Sequence, residues 1–454
     1  MAKFKIPEEG LRDAKQLGIP RMLILGLQHM FAMFGATILV PILVQSYGLP
    51  MSIQVTLFFA GIGTLLFHVL TKLKVPAFLG SSFAFLGGFS AVAELEAYAS
   101  ATADERLAYA LGGVVIAGAL YIVVAVVIRL VGVKRVMRFL PPVVTGPIII
   151  SIGLILASSA VSNASACWWL AGVSLLVIIV ANIWGKGMIK IVPILLGVVV
   201  PYIIALILTV TGVVGPGNGA YIDFSAVSEA TIVGFQPFSF PKFDISAILV
   251  MAPIAIASMM EHVGDISAIS ATVGENFIED PGLSRTLLGD GLATSLAAVF
   301  GGPANTTYGE NTGVLALTKV YDPWVVRIAA IFAVVLSFSP LVADIIGSIP
   351  TAIIGGVSFI LYGMISAIGV RNVVENHVDL SKSRNIIIAA VILVSALGFN
   401  AVGGLSFAIG GTKITLTGLA LAAILGILLN AILPGKDYEF STNTGVGFEG
   451  GPKK

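Results

Sequence analysis

The nine-residue stretch NTTYGENTG (residues 305–313) decides how this chain is organised, because its pattern occurs twice. The earlier occurrence, GSSFAFLGG (residues 80–88), begins 225 positions before it. Each stretch starts with a small or amide residue, continues with two hydroxyl residues and an aromatic residue, and has glycine at its ninth place. Two weaker echoes follow in the same order: QH (28–29) with EH (261–262), and Pro141 and Gly146 with Pro350 and Gly355. The sequence therefore indicates an internal duplication.

The composition places this duplicated chain in a membrane. Of the 454 residues, 57% are hydrophobic and only 11% are charged, whereas about a quarter of the residues of a soluble domain are charged. So few charges cannot solvate a globular protein of this length, which excludes a soluble enzyme. The 25 basic and 24 acidic residues nearly balance, so no basic field attracts nucleic acid. We expect a polytopic protein of the cell membrane, with the lipid bilayer as its surroundings.

Apolar runs between breakers predict fourteen membrane segments. Each is near the length of about twenty residues that crosses the hydrocarbon layer, although several are shorter or interrupted by glycine and proline. Hydropathy alone allows eleven to fourteen. The segments lie at residues 21–46, 51–72, 78–93, 107–131, 140–161, 167–184, 189–213, 245–268, 284–301, 305–318, 323–347, 350–369, 384–399 and 412–433.

The distribution of basic residues favours fourteen segments with both ends of the chain in the cytoplasm. The first twenty residues are charged and contain no signal peptide. With this topology 22 basic residues lie inside, and only Arg106, Lys242 and Lys413 lie outside. Such a split follows the positive-inside rule, and the loss of one segment would scramble it.

Fourteen segments make the duplication a seven-plus-seven repeat, and the odd number per copy inverts the second copy across the membrane. Inverted repeats are typical of secondary transporters, where paired short interrupted segments mark the substrate site at mid-bilayer. Segments 3 and 10 fit this description, so we predict a short extended stretch before a half-helix in each. Their free backbone N–H groups would bind a carbonyl or anionic oxygen. The alternative is that both are kinked packing helices.

Three carboxylates lie at predicted membrane depth: Glu261, Asp265 and Glu310. Carboxylates inside a membrane are costly and by default indicate a solute or proton pathway. Glu261 and Asp265 are four residues apart, so they share one helix face. Neighbouring carboxylates in a medium of low dielectric cannot all be ionised, so we expect at least one to carry a proton at neutral pH. A hydrogen-bonded structural role remains the alternative, most of all for Asp265.

Other ionisable residues give weaker signals. His29 and His262 could belong to a proton pathway, although a lone histidine on a membrane helix is more often a hydrogen-bonded structural residue. Asp290, Asp344 and Glu94 lie close to predicted segment ends, where we expect them to be solvated. The sequence has no nucleotide-binding or catalytic motif and no metal-binding cluster. We therefore predict no enzyme activity, no cofactor and no bound metal, and an ion gradient as the energy source.

The residues near the carboxylates suggest a flat, neutral solute. Phe83 and Tyr308 occupy matching positions of the repeat and could lie against a planar ring. Glu261 and Glu310 can accept ring N–H groups, and the backbone that follows Ser82 can donate to a carbonyl. A heteroaromatic ring with adjacent N–H and C=O groups satisfies this set. A sugar would need more amide side chains, and a phosphate would need arginine.

The motifs themselves resemble the nucleobase–ascorbate transporter family, and within it the bacterial uracil permeases. The resemblance covers about residues 20–433, and the NTTYGEN string is its most specific part. It is carried by QHMFAMFGATILVP (28–41), VPAFLGSSFAF (75–85), EHVGD (261–265), EDPGLSRTLLGDGLATSLAAVFGGPANTTYGENTGV (279–314) and IPTAIIGGVSFILYGMISAIGVR (349–371).

This resemblance implies a division of the fourteen helices into two domains. A core domain would comprise residues 21–133 and 243–347, and a gate domain residues 134–242 and 348–433. Residues 1–20 and 434–454 would form cytoplasmic ends. Members of the family can form a homodimer through the gate domain.

The resemblance also implies roles for the site residues. Glu261 and Glu310 would hydrogen-bond the nucleobase, Phe83 would give backbone and ring contacts, and Tyr308 and Gly309 would complete the pocket. Purine-carrying members tend to have glutamine where this chain has Glu310, so glutamate favours uracil. Some uracil permeases have histidine at position 265, which leaves open whether Asp265, Glu261 or both move the proton.

From these observations we predict a proton-coupled symporter that imports uracil by alternating access. Its site would consist of Ser82, Phe83, Glu261, Tyr308, Gly309 and Glu310, with Glu261, Asp265, Glu310 and His29 as candidates for proton coupling. A carrier of purines or of mixed nucleobases, such as xanthine and guanine, is the alternative. An inorganic-anion carrier or channel is a third hypothesis, which the central carboxylates oppose by repulsion.

Overall fold

The computed structural model describes residue 7, residues 10–216, 219–409 and 412–435, and residue 438. Predictions for other positions, among them most of residues 1–9 and almost all of the tail at 436–454, lie outside the described residues.

Helices form most of the first half of the chain, because apolar, small and straight-chain residues dominate between the glycine and proline breaks. The helices are α1 (Ile19–Ser46), α2 (Ile53–Leu70), α3 (Leu86–Ala93), α4 (Ala103–Val131), α5 (Val133–Met137), α6 (Pro142–Ser165), α7 (Trp168–Ile183), α8 (Met188–Ile191), α9 (Pro193–Val210) and α10 (Ser225–Glu229).

The second half is built in the same way. Its helices are α11 (Ile245–Met251), α12 (Ile254–Val273), α13 (Leu283–Val299), α14 (Gly309–Thr318), α15 (Pro323–Ser337), α16 (Pro340–Gly347), α17 (Thr351–Glu375), α18 (Ser383–Ala401) and α19 (Gly418–Ile432).

The protein is a mostly helical, multi-pass membrane protein. Within the described ranges, eight helical stretches are long and apolar enough to cross a bilayer, with α11 and α12 counted as one, and nine if α15 and α16 form one broken span. Helix lies within every predicted segment, but several of these helices are shorter than a full crossing. The count of fourteen spans therefore stays a prediction.

Two predicted segments differ from the structure. Segment 11 (323–347) is bent by 87° between α15 and α16, because Ser339 caps Val342 N and Pro340 starts a new helix. Segment 14 was predicted from residue 412, but Thr412–Leu416 is a strand, β4, paired antiparallel with β3 (Leu405–Ile409). The helix begins only at Gly418, after Thr417 accepts a hydrogen bond from Ala420 N.

Glycines allow α6 and α17 to pack backbone against backbone. A Cβ atom on Gly153 would lie 2.2 Å from Tyr362 O, and one on Gly369 would lie 2.6 Å from Ile150 N. Gly355, an expected counterpart of Gly146 in the repeat, meets the backbone of Ala164 in the same way. These glycines therefore serve close helix packing.

The amino-terminal residues cross one end of the bundle. Leu11 forms a parallel bridge with Val320 just after α14, and Ala14 N donates to Asp322 Oδ2 across 2.8 Å. Arg12 pairs with Glu275 and donates to Val273 O at the end of α12. These contacts connect the ends of α12 and α14.

Candidate functional site

The centre of the candidate site is a pair of short strands, β1 (Leu79–Ser81) and β2 (Asn305–Thr307), which we call the strand crossing. Strand β1 pairs antiparallel with β2, with Gly80 opposite Thr306. The ladder is extended by Ser82 N donating to Ala304 O (2.8 Å) and by Tyr308 N donating to Phe78 O (3.0 Å). All six strand residues are buried. The extended stretches predicted before the half-helices are therefore present, and they pair with each other.

A threonine from a neighbouring helix anchors each strand in the same way. Thr64 Oγ1 on α2 accepts from Leu79 N (2.8 Å); its own proton lies between Ala60 O in the same helix (2.7 Å) and Leu79 O (3.2 Å). Thr294 Oγ1 on α13 accepts from Asn305 N (3.2 Å) and donates to Asn305 O (2.9 Å). Each hydroxyl accepts from the N–H of the residue at the start of a strand, and Thr294 also donates to the carbonyl of that residue, groups that an edge strand would otherwise leave unpaired. The sequence reading missed this matching pair.

A half-helix follows each strand, and neither half-helix has a side-chain cap at its start. The hydroxyls in position to cap are used elsewhere. Ser82 Oγ lies 3.3 Å from Ser258 Oγ on α12, and Thr307 Oγ1 donates to Asp265 Oδ2 across 2.8 Å. Apart from the N–H of Glu310, which its own carboxylate contacts, the first backbone N–H groups of the half-helices have no side-chain cap and could donate to an acceptor on a ligand.

Helix α12 brings Glu261 and Asp265 to this crossing point. Both side chains are only partly buried, while Gly264 between them and Gly309 and Gly313 on α14 are exposed, so the carboxylates face an open space. A Cβ atom on Gly309 would lie 3.6 Å from Asp265 Oδ1. The first turn of α14 is thus within contact distance of Asp265.

Glu310 completes the acidic cluster at the first turn of α14. Its carboxylate lies against its own backbone N–H, and Glu261 interacts electrostatically with it. Asp265 interacts with both glutamates. Within the part of the chain that the structure describes, none of the three forms an ion pair with a basic side chain. A solute with N–H groups would find carboxylate acceptors close to the uncapped starts of the half-helices.

The two aromatic residues of the repeat are mostly buried. Tyr308 lies over Gly80, where a Cβ atom would come within 2.4 Å of its ring, and its hydroxyl donates to Ser81 O across 2.9 Å. Phe83 is 8% exposed and Tyr308 4%. Tyr308 holds the two strands together, and contact of either ring with a solute stays a prediction.

The histidines have structural partners. His29 is fully buried, and its Nδ1 lies 3.1 Å from Asn311 Nδ2, which also donates to the carbonyl of His29. This contact ties α1 to α14 directly beside Glu310. A part for His29 in proton coupling stays a prediction.

The prediction that Asp290 is solvated near a segment end is wrong. Asp290 is fully buried in α13, and its Oδ2 lies 2.9 Å from Nδ1 of the equally buried His262. Because His262 follows Glu261 on α12, this pair fixes α12 against α13 directly behind the carboxylate cluster. The hydropathy of a single segment does not show that Asp290 is buried, because its partner His262 lies on another helix.

Other residues that build the site were also missed. Ser258 lies three residues before Glu261, so the helical period alone places both on one face of α12. Thr307 belongs to the repeated stretch, and its hydroxyl could have been assigned to either a cap or a carboxylate. Asn311 directly follows Glu310 in the same stretch.

Comparison with known proteins gives close relatives over nearly the full length. The sequence profile of the Permease family (Xan_ur_permease) matches residues 20–405. The chain is 40% identical to the uracil permease of Bacillus caldolyticus over 445 residues, covering 95% of each. It is 41% identical to that of Bacillus subtilis (strain 168), covering 90% and 91%. It is 39% identical to the putative pyrimidine permease RutG of Escherichia coli (strain K12), covering 96% and 97%.

Solved structures share the fold at low identity. The transmembrane domain of the cyanobacterial bicarbonate transporter BicA matches with a TM-score of 0.61 and 15% identity, covering 93% of this chain and 99% of that domain. SLC26A9 matches with a TM-score of 0.64 and 13% identity, covering 92% and 65%. At such identities the likeness concerns the architecture alone.

Proposed function

This chain belongs to the Permease family, in the nucleobase–ascorbate transporter group and close to its uracil permeases, and on that premise we propose that it imports uracil together with protons. It is a transport protein rather than an enzyme. The proposed mechanism is alternating access, in which the core domain moves against the gate domain while the solute stays bound at the strand crossing.

The observation that carries the uracil assignment is the presence of carboxylate acceptors beside the uncapped starts of two half-helices. Uracil presents N–H and C=O groups in alternation around a planar ring. Glu261 and Glu310 can accept its N–H groups, and the uncapped starts of the half-helices can donate to its carbonyl oxygens. A carboxylate accepts from an N–H more strongly than an amide oxygen does. The high identity to uracil permeases supports the same substrate.

Proton coupling is supported by the acidic cluster. Glu261, Asp265 and Glu310 interact with one another and lack a basic ion-pair partner within the described residues. Three negative charges at this spacing in low dielectric repel strongly, so binding is favourable when a proton neutralises one of them. We propose Asp265 or Glu261 as the proton carrier. Uracil binding measured against pH should lose its pH dependence in Asp265→Asn if Asp265 is that carrier, and keep it if Glu261 is.

The finer architecture belongs to the same proposal. Fourteen spans would form an inverted seven-plus-seven repeat, with core residues 21–133 and 243–347 and gate residues 134–242 and 348–433. The matching anchors Thr64 and Thr294 support the repeat. The charge distribution supports cytoplasmic ends for the chain. A homodimer through the gate domain follows from the family resemblance.

Uptake of labelled uracil by proteoliposomes tests the proposal. An inward proton gradient should drive accumulation, and collapse of the gradient with a protonophore should abolish it. Unlabelled uracil should compete, while xanthine, guanine, bicarbonate and sulfate should not. Uptake of xanthine but not of uracil would show that the proposed substrate is wrong. Gradient-independent accumulation of bicarbonate would show that the protein is an anion carrier instead.

A further inference from the structure

An open cavity of about 500 Å³ lies at one end of the bundle, away from the carboxylate cluster. It is enclosed by the end of α4, by residues 132–135 after it, and by residues 278–284 at the start of α13. Gly132 and Gly282 line it with φ angles of 90° and 98°. These positive φ angles favour glycine and allow the chain to turn at both positions. A Cβ atom added to either glycine would have no other atom within 4 Å, so the space beside both is open.

The charge of this cavity is positive. Lys134 and Arg135 line it, both exposed, and neither forms an ion pair within the described residues. From Arg106 to Ile222 the chain has seven basic residues and no acidic one, so no nearby residue in sequence neutralises them. Glu279 is the single acid in the lining, and it accepts a hydrogen bond from Asn276. The site therefore favours an anion.

Apolar surface continues from the basic residues along α4. Ile128, Val131 and Leu283 line the cavity itself; of these, Ile128 and Leu283 are buried and Val131 is 40% exposed. Leu130 is 78% exposed on the adjoining surface. A soluble anion would gain nothing from these side chains, whereas a molecule with a charged head and hydrocarbon tails matches both parts of the surface. Basic pockets beside membrane helices are suited to anionic lipid head groups.

We propose that this cavity binds the phosphate head group of an anionic phospholipid, with Lys134 and Arg135 as its ligands and the end of α4 against its acyl chains. Residues 132–135 begin the connection from α4 to α6, whereas residues 278–284 lead into α13. A lipid that contacts both therefore holds this connection against the helix that carries Asp290.

Lipid retention by the purified full-length protein tests the site. Native mass spectrometry should detect phosphatidylglycerol retained in preference to phosphatidylcholine, and thermal unfolding should shift upward when phosphatidylglycerol is added. Lys134→Gln with Arg135→Gln should lower phosphatidylglycerol affinity at least about tenfold, because each basic residue contributes on the order of 1 kcal/mol near an anionic lipid. The matched control, Lys186→Gln with Lys190→Gln, removes the same charge from exposed positions outside the cavity.

Two results would overturn the proposal. Equal loss in the control pair would mean a general attraction to basic surface, and equal protection by soluble glycerol phosphate would mean a site for a free anion. Glu279→Gln gives an independent test should the double variant not fold. It removes the only acid of the lining, so it should strengthen phosphatidylglycerol retention, and an unchanged or weaker retention would contradict the site.

Discussion

The hydroxyl of Thr307 donates a hydrogen bond to Oδ2 of Asp265 across 2.8 Å, which fastens the strand before one half-helix to the helix that carries Glu261. The same bond withdraws Thr307 from capping α14. The Thr307 hydroxyl thus supports the Asp265 carboxylate and provides no side-chain cap for α14.

Thr307→Val should destabilise the protein by about 1–3 kcal/mol, because a partly buried carboxylate loses its donor without a change of side-chain shape. The pH profile of uracil uptake should change as well, because Asp265 loses the hydrogen bond from Thr307. Thermal unfolding in detergent and proteoliposome uptake measure the two effects. Thr306→Val is the matched control, because its buried hydroxyl has no partner among the described residues. Equal effects of both substitutions would refute the role of the bond.

Glu310→Gln should weaken uracil binding roughly 10- to 100-fold, because a hydrogen bond to a charged acceptor contributes about 1.5–3 kcal/mol. Isothermal titration or scintillation proximity binding gives the affinity. Glu229→Gln, at an exposed position of α10, should leave it unchanged. If the protein is instead an anion carrier, Glu310→Gln should maintain or increase anion uptake, because it removes a repelling charge.

Gly80→Ala should prevent the two strands from packing as they do, because the new Cβ atom would lie 2.4 Å from the Tyr308 ring. Overpacking of this kind typically costs about 1–3 kcal/mol. Gly87→Ala adds the same atom where nothing lies within 4 Å, so it should preserve stability. A melting temperature for Gly80→Ala equal to that of Gly87→Ala would show that the ring moves aside freely.

Asp290→Leu should cost about 3–5 kcal/mol, because it leaves the buried His262 without its partner. Replacement of both residues, His262→Phe with Asp290→Leu, should cost less than Asp290→Leu alone, since no buried polar group is then left unpaired. Chemical denaturation of the single and double variants completes the cycle. Additive losses would contradict an interaction between the two side chains.

The sequence predicts the strands and half-helices at the centre of the fold well, because the residues that determine them are adjacent in the chain. The repeated stretches at 80–88 and 305–313 place glycine, hydroxyl and aromatic residues where extended backbone turns into helix, and the structure has a strand and a half-helix at each. Strand β4 could also have been found. Its residues KITL (413–416) alternate in polarity, which indicates a strand rather than the start of a helix.

The Asp290–His262 pair and the threonine anchors could not have been predicted in this way. Each depends on which faces of α2, α12 and α13 meet, and the spacing of residues within one helix does not contain that information. Hydropathy also treats Asp290 as a charge to be solvated, whereas a partner on another helix makes its burial tolerable. Tertiary pairing, rather than local preference, decides these positions.

The contacts of Arg12 and Ala14 make the amino-terminal residues a link between two helices. At one end of the bundle they connect α12 to the segment after α14, while the bond between Thr307 and Asp265 connects α12 to the strand before α14. Because α12 and α14 are connected at two separated places, their separation or relative sliding would break both sets of contacts. For the solute that we propose to be held between Glu261 and Glu310, we therefore expect release by displacement of α12 and α14 together, and not by their separation.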